Sequence, residues 1–212
     1  MLSEDFVANL IKVYPFTEGK IAFDIGAHRG KFTELLASRF DKVYAFEPFP
    51  ENVKVLKEKF ADNPKVIIVE KAIHRKNGTE RFYVNGETEQ GSLSKLYAQS
   101  SAWNYNSANY IEVETITLDS FCENENVNPS LIKIDIEGAE QYIFTGATKT
   151  LQSLKPETDW IILECHLMVD WDMVTDMFKS FDFKFVNTEL KTVEHLDPCN
   201  HYLIHKGDIN FV

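Results

Sequence analysis

Two glycines, Gly26 and Gly30, follow an apolar run that carries a carboxylate near its end, Ile21-Ala22-Phe23-Asp24-Ile25. A strand, a glycine turn and a helix start, in that order, let a ligand lie against bare backbone at a helix N-terminus. Glu47 stands 23 positions beyond Asp24, at the end of the next apolar run. A carboxylate is acceptor-only, and an acid about 20 residues past a glycine turn is placed to take both hydroxyls of a ribose. Further on, Leu131-Ile132-Lys133-Ile134 leads into Asp135, Glu137 and Glu140, and Ile161-Ile162-Leu163 leads into Glu164 and His166. Acids at a helix start also serve as caps. At the ends of apolar strands, Asp135, Glu137 and His166 are candidates for moving a proton. Asp135, Glu164 and His166 could instead offer oxygen and imidazole ligands to a divalent metal, and their spacing does not choose between the two roles.

Ribose recognition leaves two cofactor classes open, the dinucleotides and S-adenosylmethionine. A dinucleotide fingerprint wants G-x-G-x-x-G with its pyrophosphate on the helix N-terminus. Here His28 stands at the second glycine position and Lys31 at the third. Two glycines four apart suit a cofactor that has no pyrophosphate.

The elements that must position these residues follow from periodicity. A helix is expected over 3–13, with Ser3 as its N-cap. Strands at 20–24, 42–46 and 65–70 alternate with helices at 31–39 and 50–60. This βαβαβ rhythm implies a parallel sheet with right-handed crossovers. The run Val66-Ile67-Ile68-Val69 is apolar enough to be buried on both faces. The rhythm breaks at two alternating strands, 80–85 and 111–117. Between them lies a polar stretch that holds Tyr97, Trp103, Tyr105 and Tyr110, read as a lid over the site together with Ser92. It resumes with a strand at 131–135, a helix at 138–145, a strand at 160–164 and a helix at 171–181. Strands at 183–187 and 202–205 close one edge as an antiparallel pair. One domain over 1–212 is expected, with a helical lead-in at 1–19 and an insertion at 78–117.

Composition sets the class. The 212 residues are 44% hydrophobic and 26% charged, as in an ordinary globular domain. A formal net charge of -11 disfavours a nucleic-acid partner. The three cysteines, Cys122, Cys165 and Cys199, show no paired spacing and fit a reducing compartment. The acidic start is unlike a secretory signal, and no apolar run is long enough to cross a bilayer. The expectation is a cytoplasmic protein with no membrane partner; oligomeric state is not readable.

These segments together resemble the FkbM family of S-adenosylmethionine-dependent methyltransferases. The resemblance runs from about Ile21 to His166. It rests on Phe23-Asp24-Ile25-Gly26-Ala27-His28-Arg29-Gly30, Ala45-Phe46-Glu47-Pro48, Glu70-Lys71-Ala72-Ile73, Gly91-Ser92-Leu93, Thr117-Leu118-Asp119, Leu163-Glu164-Cys165-His166 and, most specifically, Ile134-Asp135-Ile136-Glu137-Gly138-Ala139-Glu140. His28 departs from the Asn common in the family. The resemblance implies a class I methyltransferase fold: α/β, with a seven-stranded, mostly parallel sheet and flanking helices. It also implies methyl transfer to oxygen on a sugar or other small hydroxylated acceptor. By position, Asp24, Gly26, Ala27, His28 and Gly30 would hold the methionine end of the cofactor. Glu47 would bind the ribose, Lys71 and Ala72 would flank the adenine, and Asp135 would lie near the sulfonium. Asp135, Glu137 and His166 are the catalytic candidates, with Glu137 or His166 as base. Two alternatives stand beside this reading: an NAD-dependent oxidoreductase, and a methyltransferase-like binding module without turnover.

Overall fold

The computed structural model describes residues 2–13, 20–84, 91–99, 109–156 and 158–208. The chain opens with α1 (Leu2–Val13), β1 (Ile21–Ile25), α2 (Lys31–Ala37), β2 (Lys42–Phe46), α3 (Pro50–Lys59) and β3 (Val66–Val69). The insertion follows: β4 (Ala72–Ile73), β5 (Gly78–Val84), β6 (Gly91–Ser92), α4 (Lys95–Ala98) and β7 (Tyr110–Ile116). The second half contains α5 (Leu118–Glu125), β8 (Leu131–Ile134), α6 (Glu140–Phe144), α7 (Thr148–Ser153), β9 (Trp160–Cys165), α8 (Trp171–Lys179), β10 (Phe183–Val186), β11 (Thr192–Val193) and β12 (Asn200–Lys206).

The main sheet has eight strands in the order β11-β10-β12-β9-β8-β1-β2-β3. Neighbours from β9 to β3 pair in parallel, while β12 pairs antiparallel with both β9 and β10. Seven of these strands match the expected count. The eighth, β11, is a two-residue edge strand from the polar segment between β10 and β12, which carries no helical pattern. The expected antiparallel pair forms, with Phe185 opposite Ile204, but β12 sits inside the sheet rather than closing its edge. β3 is a further correction. Its four apolar residues are only half-buried, because it is the edge strand beside β2.

Alternation along the strands builds two core layers. Phe23, Ile25, Tyr44, Phe46, Ile132 and Ile134 face Phe121 of α5, Phe144 of α6 and Phe178 of α8. Ala22, Val43 and Leu131 face the other way, toward Val7, Leu10 and Ile11 of α1 and Leu36 of α2. The first layer is aromatic. The Phe121 ring stands edge-on to Phe23, Tyr44 and Phe46, at 5.6, 5.1 and 4.7 Å.

Helices α5 and α7 were not expected from the sequence. Thr117 caps α5 by accepting from the Ser120 N–H at 3.0 Å. No residue of α7's own neighbourhood caps it; the Asp119 carboxylate of α5 accepts from the Lys149 and Thr150 N–H groups at 3.0 and 2.8 Å. A cap supplied from 30 residues away leaves no local signal. In the insertion, β4, β7, β5 and β6 form a second four-stranded sheet over a small core of Ala72, Phe82 and Val113. The rest of the expected lid, including Trp103 and Tyr105, lies outside the described residues.

Phe121→Ala empties the meeting point of three sheet aromatics. It should lower the unfolding free energy by about 3–5 kcal/mol. A urea denaturation series against the unaltered chain reads the loss directly.

Candidate active site

Strands β1 and β8 run in parallel with Asp24 opposite Lys133. Residues in register point to the same face, so an acid and a lysine meet inside the sheet. Lys133 Nζ lies 3.2 Å from Asp24 Oδ1, donates to the Gly26 carbonyl at 3.0 Å and stands 3.5 Å from Asp135 Oδ2. Asp24 Oδ2 also accepts from Thr33 Oγ1 of α2 at 2.6 Å. Burial alone would push the lysine pKa down, but the carboxylates of Asp24 and Asp135 more than reverse this and hold it above its usual range. Lys133 is therefore charged, and it fixes the end of β1 to the end of β8.

The glycine turn fits into this junction. Gly26 has φ +80, and a Cβ there would stand 1.8 Å from the Asp135 carbonyl oxygen. Only glycine allows so close an approach of two backbones. The Gly26 and Ala27 N–H groups both donate to the Phe46 carbonyl, at 3.1 and 3.0 Å. This draws the turn against the end of β2, where Glu47 emerges. Glu47 is 4% exposed. Its Oε2 accepts from the His28 N–H at 2.8 Å and its Oε1 from the Phe49 N–H at 2.9 Å. Burial raises its pKa to about 7 despite those bonds and a further one from Asn52.

The acids after β8 and β9 converge on one imidazole. His166 Nδ1 lies 2.6 Å from Glu140 Oε1, a carboxylate with no exposed surface. Its Nε2 faces Glu137 Oε2 and Glu164 Oε1 at 3.6 Å and Asp135 Oδ1 at 3.8 Å. Burial opposes the charge on His166, yet the Glu140 hydrogen bond and the surrounding carboxylates raise its pKa to about 10. For Asp135, burial pushes upward but Lys133, His166 and His201 carry the net shift downward. Glu137 moves the other way, because burial outweighs its cationic neighbour and raises it. Glu137 is also held in a left-handed conformation, φ 56, just before Gly138 at φ 83. The insertion supports that strained turn. Ser92 Oγ donates to the Glu137 carbonyl at 2.6 Å and the Tyr97 hydroxyl donates to its carboxylate at 2.9 Å.

A cavity of about 480 Å³ runs from the glycine turn to these acids. That volume falls in the range of small-ligand sites. Gly26, Ala27, His28, Glu47, Lys71 and Ala72 line it, and so do Asp135, Glu137 and Glu164. Lys71 is half-exposed at its edge and paired with Glu114 at 2.8 Å. Three expected site residues, Asp24, Gly30 and His166, are not among the residues that line the cavity. Asp24 lies behind it, engaged by Lys133 and Thr33. Gly30 starts α2 with φ 76, and a Cβ there would strike Phe60 and Leu56. Sequence reasoning passed over Lys133, Asn52, Phe32 and Phe82, which do line it. Lys133 had a readable signal, a lone charge inside the buried run Leu131-Ile132-Lys133-Ile134. The part Glu140 plays in holding His166 had none, since a buried acid at a helix start reads as a cap.

A family model described as Methyltransferase FkbM domain matches residues 24–191. Among curated proteins, the hexuronic acid methyltransferase AglP of Haloferax volcanii is 25% identical over 179 residues, covering 84% of this chain and 69% of that protein. Among solved structures, a methyltransferase FkbM from Methylobacillus flagellatus KT superposes with a TM-score of 0.60 at 16% identity. The match covers 92% of this chain and 45% of that one, so this chain spans less than half its length. An rRNA methylase from Streptococcus thermophilus gives a TM-score of 0.55 at 12% identity, over 95% of this chain and 92% of that one. At such identities these two structures share the fold.

Glu47 makes stability depend on pH. Its folded pKa, about 7, lies above the ordinary value of 4.5, so the protonated form favours folding. That contribution is full below about pH 4.5 and is lost as pH rises to about 7, at roughly 1.4 kcal/mol per pKa unit. Glu47→Gln, which carries no charge, should flatten the fall in unfolding free energy between about pH 5 and 7. Parallel slopes for the two chains in denaturant titrations across that window would refute the assignment.

Proposed function

Because the chain belongs to the FkbM family of methyltransferases, we propose that it transfers a methyl group from S-adenosylmethionine to a hydroxyl oxygen of a small, carbohydrate-like acceptor. The observation that carries this reading is the single cavity that joins the glycine turn and Glu47 at one end to Asp135 and Glu137 at the other. Family membership sets the nicotinamide alternative aside. The similarity to a hexuronic acid methyltransferase supports a sugar-like acceptor.

The residues fit the cofactor. Bare backbone at Gly26–His28 suits its methionine end, and the Glu47 carboxylate keeps acceptor capacity beyond the bonds from His28, Phe49 and Asn52. Lys71 and Ala72 line the cavity and would flank the adenine. Asp24 acts at one remove, by keeping Lys133 charged beneath the turn. When bound, the cofactor would supply an electrophilic sulfonium methyl, with Asp135 among the residues that would hold its reacting end.

An alcohol is a weak nucleophile, so its proton must leave as the oxygen attacks. His166 is protonated at neutral pH and cannot take that proton. Glu137 can: it lines the cavity and burial raises its pKa above that of an ordinary carboxylate. The Glu137 carboxylate would accept the hydroxyl proton, and the bound cofactor would supply the methyl group to the acceptor oxygen and keep the electron pair of the broken carbon–sulfur bond. Holding the two reactants in line contributes up to about 7–11 kcal/mol in well-aligned cases.

Isothermal calorimetry should show S-adenosylhomocysteine binding. Glu47→Ala should weaken it by about 3 kcal/mol, roughly a hundredfold, through two lost hydrogen bonds to a charged acceptor. No binding to the unaltered chain would end the methyltransferase reading.

Methyl transfer from labelled S-adenosylmethionine onto a panel of uronic and neutral sugars tests the acceptor. With an acceptor found, Glu137→Gln should lower kcat by about 10²–10⁴ and leave S-adenosylhomocysteine affinity unchanged. An unchanged kcat would remove Glu137 as base. Cofactor binding without turnover on any hydroxylated acceptor would point instead to a binding module.

A further inference from the structure

Asp135 and Glu164, which line the cavity, and His166 beside them each offer one ligand atom to a small shared space. One ligand atom from each of Asp135, Glu164 and His166 lies within 4.8 Å of the other two, and His166 Nε2 stands 3.8 Å from Asp135 Oδ1 and 3.6 Å from Glu164 Oε1. Each is held from behind through its other polar atom. Asp135 Oδ2 faces Lys133 Nζ at 3.5 Å, Glu164 Oε2 faces His201 Nε2 at 3.0 Å, and His166 Nδ1 faces Glu140 Oε1 at 2.6 Å. The topology dictates two of these supports. Glu164 is opposite His201 in the β9–β12 register, and Lys133 precedes Asp135 by two positions on β8.

His166 supplies the decisive observation. Its side chain is only 10% exposed, yet Nε2 reaches no carboxylate at hydrogen-bond distance, although oxygens stand at 3.6, 3.6 and 3.8 Å. Two donors about 2.1–2.3 Å from one cation, at roughly 90–110°, lie about 3.0–3.8 Å apart. These spacings are too long for direct bonds and right for a shared ion. A histidine whose far nitrogen is bound to a carboxylate is also the usual outer support of a metal-binding imidazole.

We propose that Asp135, Glu164 and His166 bind one divalent cation of the Mn²⁺ type, the ion taking the place of the proton on His166 Nε2, with Glu137 beside it. One imidazole among carboxylate oxygens favours a first-row ion that tolerates both donor kinds. The site rests on the methyltransferase reading for its role. At this position the ion would hold the acceptor oxygen and lower its proton affinity, so that Glu137 needs only to receive the proton.

Electron paramagnetic resonance of Mn²⁺ titrated into the chelator-stripped full chain tests the site, since the free-ion signal falls as ions bind. One equivalent should bind. Glu164→Gln and His166→Gln should each weaken binding at least tenfold. Glu140→Gln, which touches no proposed ligand atom, should weaken it roughly ten- to a hundredfold through His166. Glu112→Gln, an exposed acid on β7, should leave it unchanged. Failure to bind an equivalent, or equal binding by all four variants, overturns the proposal. S-adenosylhomocysteine calorimetry on the same samples separates the two claims. Retained binding shows that the variants are folded, so a missing cation then counts against this site alone. Absent cofactor binding in the unaltered chain counts against the functional reading, and the cation result stands by itself.

Discussion

The site depends on one buried cation. Lys133 lies inside the sheet, 3% exposed, and touches the ends of both strands that frame the cavity. An uncompensated charge there would cost several kcal/mol, and truncating one partner of such a pair typically costs about 3–5 kcal/mol. Asp24 meets that need, and it can do so only because β1 and β8 lock it opposite Lys133. The same ammonium then pins the Gly26 carbonyl and leans on Asp135. The glycine turn, the close approach of its backbone to Asp135 and the position of the first catalytic-edge acid all follow from that register. A slip of one residue would send Lys133 to the aromatic face.

Around this fixed centre the acids are given different tasks by their surroundings. Glu140 is fully buried and spends its charge on His166 and the Gly138 N–H. Asp135 shares its charge with Lys133. Glu164 is steadied by His201. Glu137 alone sits in a strained turn, clasped by Ser92 and Tyr97 of the insertion, with its proton affinity raised by burial. Among these carboxylates Asp135 is held below its ordinary proton affinity and Glu137 above it, and each of the four has a different partner. The insertion matters to the chemistry for this reason: Tyr97 packs edge-on to His166 at 5.5 Å and stands over Gly138, so one helical turn closes the side of the acid cluster.

Much of the frame was legible in the sequence. The first five elements announce themselves by period, because buried parallel strands are apolar throughout and their helices carry one apolar face. The antiparallel end of the sheet was legible from the short polar join. What escaped were parts whose reasons lie elsewhere in the chain. α7 takes its cap from Asp119. β3 is apolar and yet an edge, since burial is decided by neighbours rather than by composition. β11 is two residues pinned by β10, too short to show any pattern.

By itself the sequence determined the residue types and their order along the sheet edge: a glycine turn, then Glu47, then Asp135, then Glu164 and His166. Local periodicity fixes which residues end strands, and strand ends are where ligands meet an open parallel sheet. Tertiary structure alone decided how those residues divide the work. Asp24 and Gly30, adjacent to the turn in sequence, lie behind the cavity as structural supports, while Lys133 came forward to line it. His166, a plausible base on paper, is held protonated in this structure by a carboxylate 26 positions away. Proton affinity and reach depend on distance and burial, which only the packed chain sets.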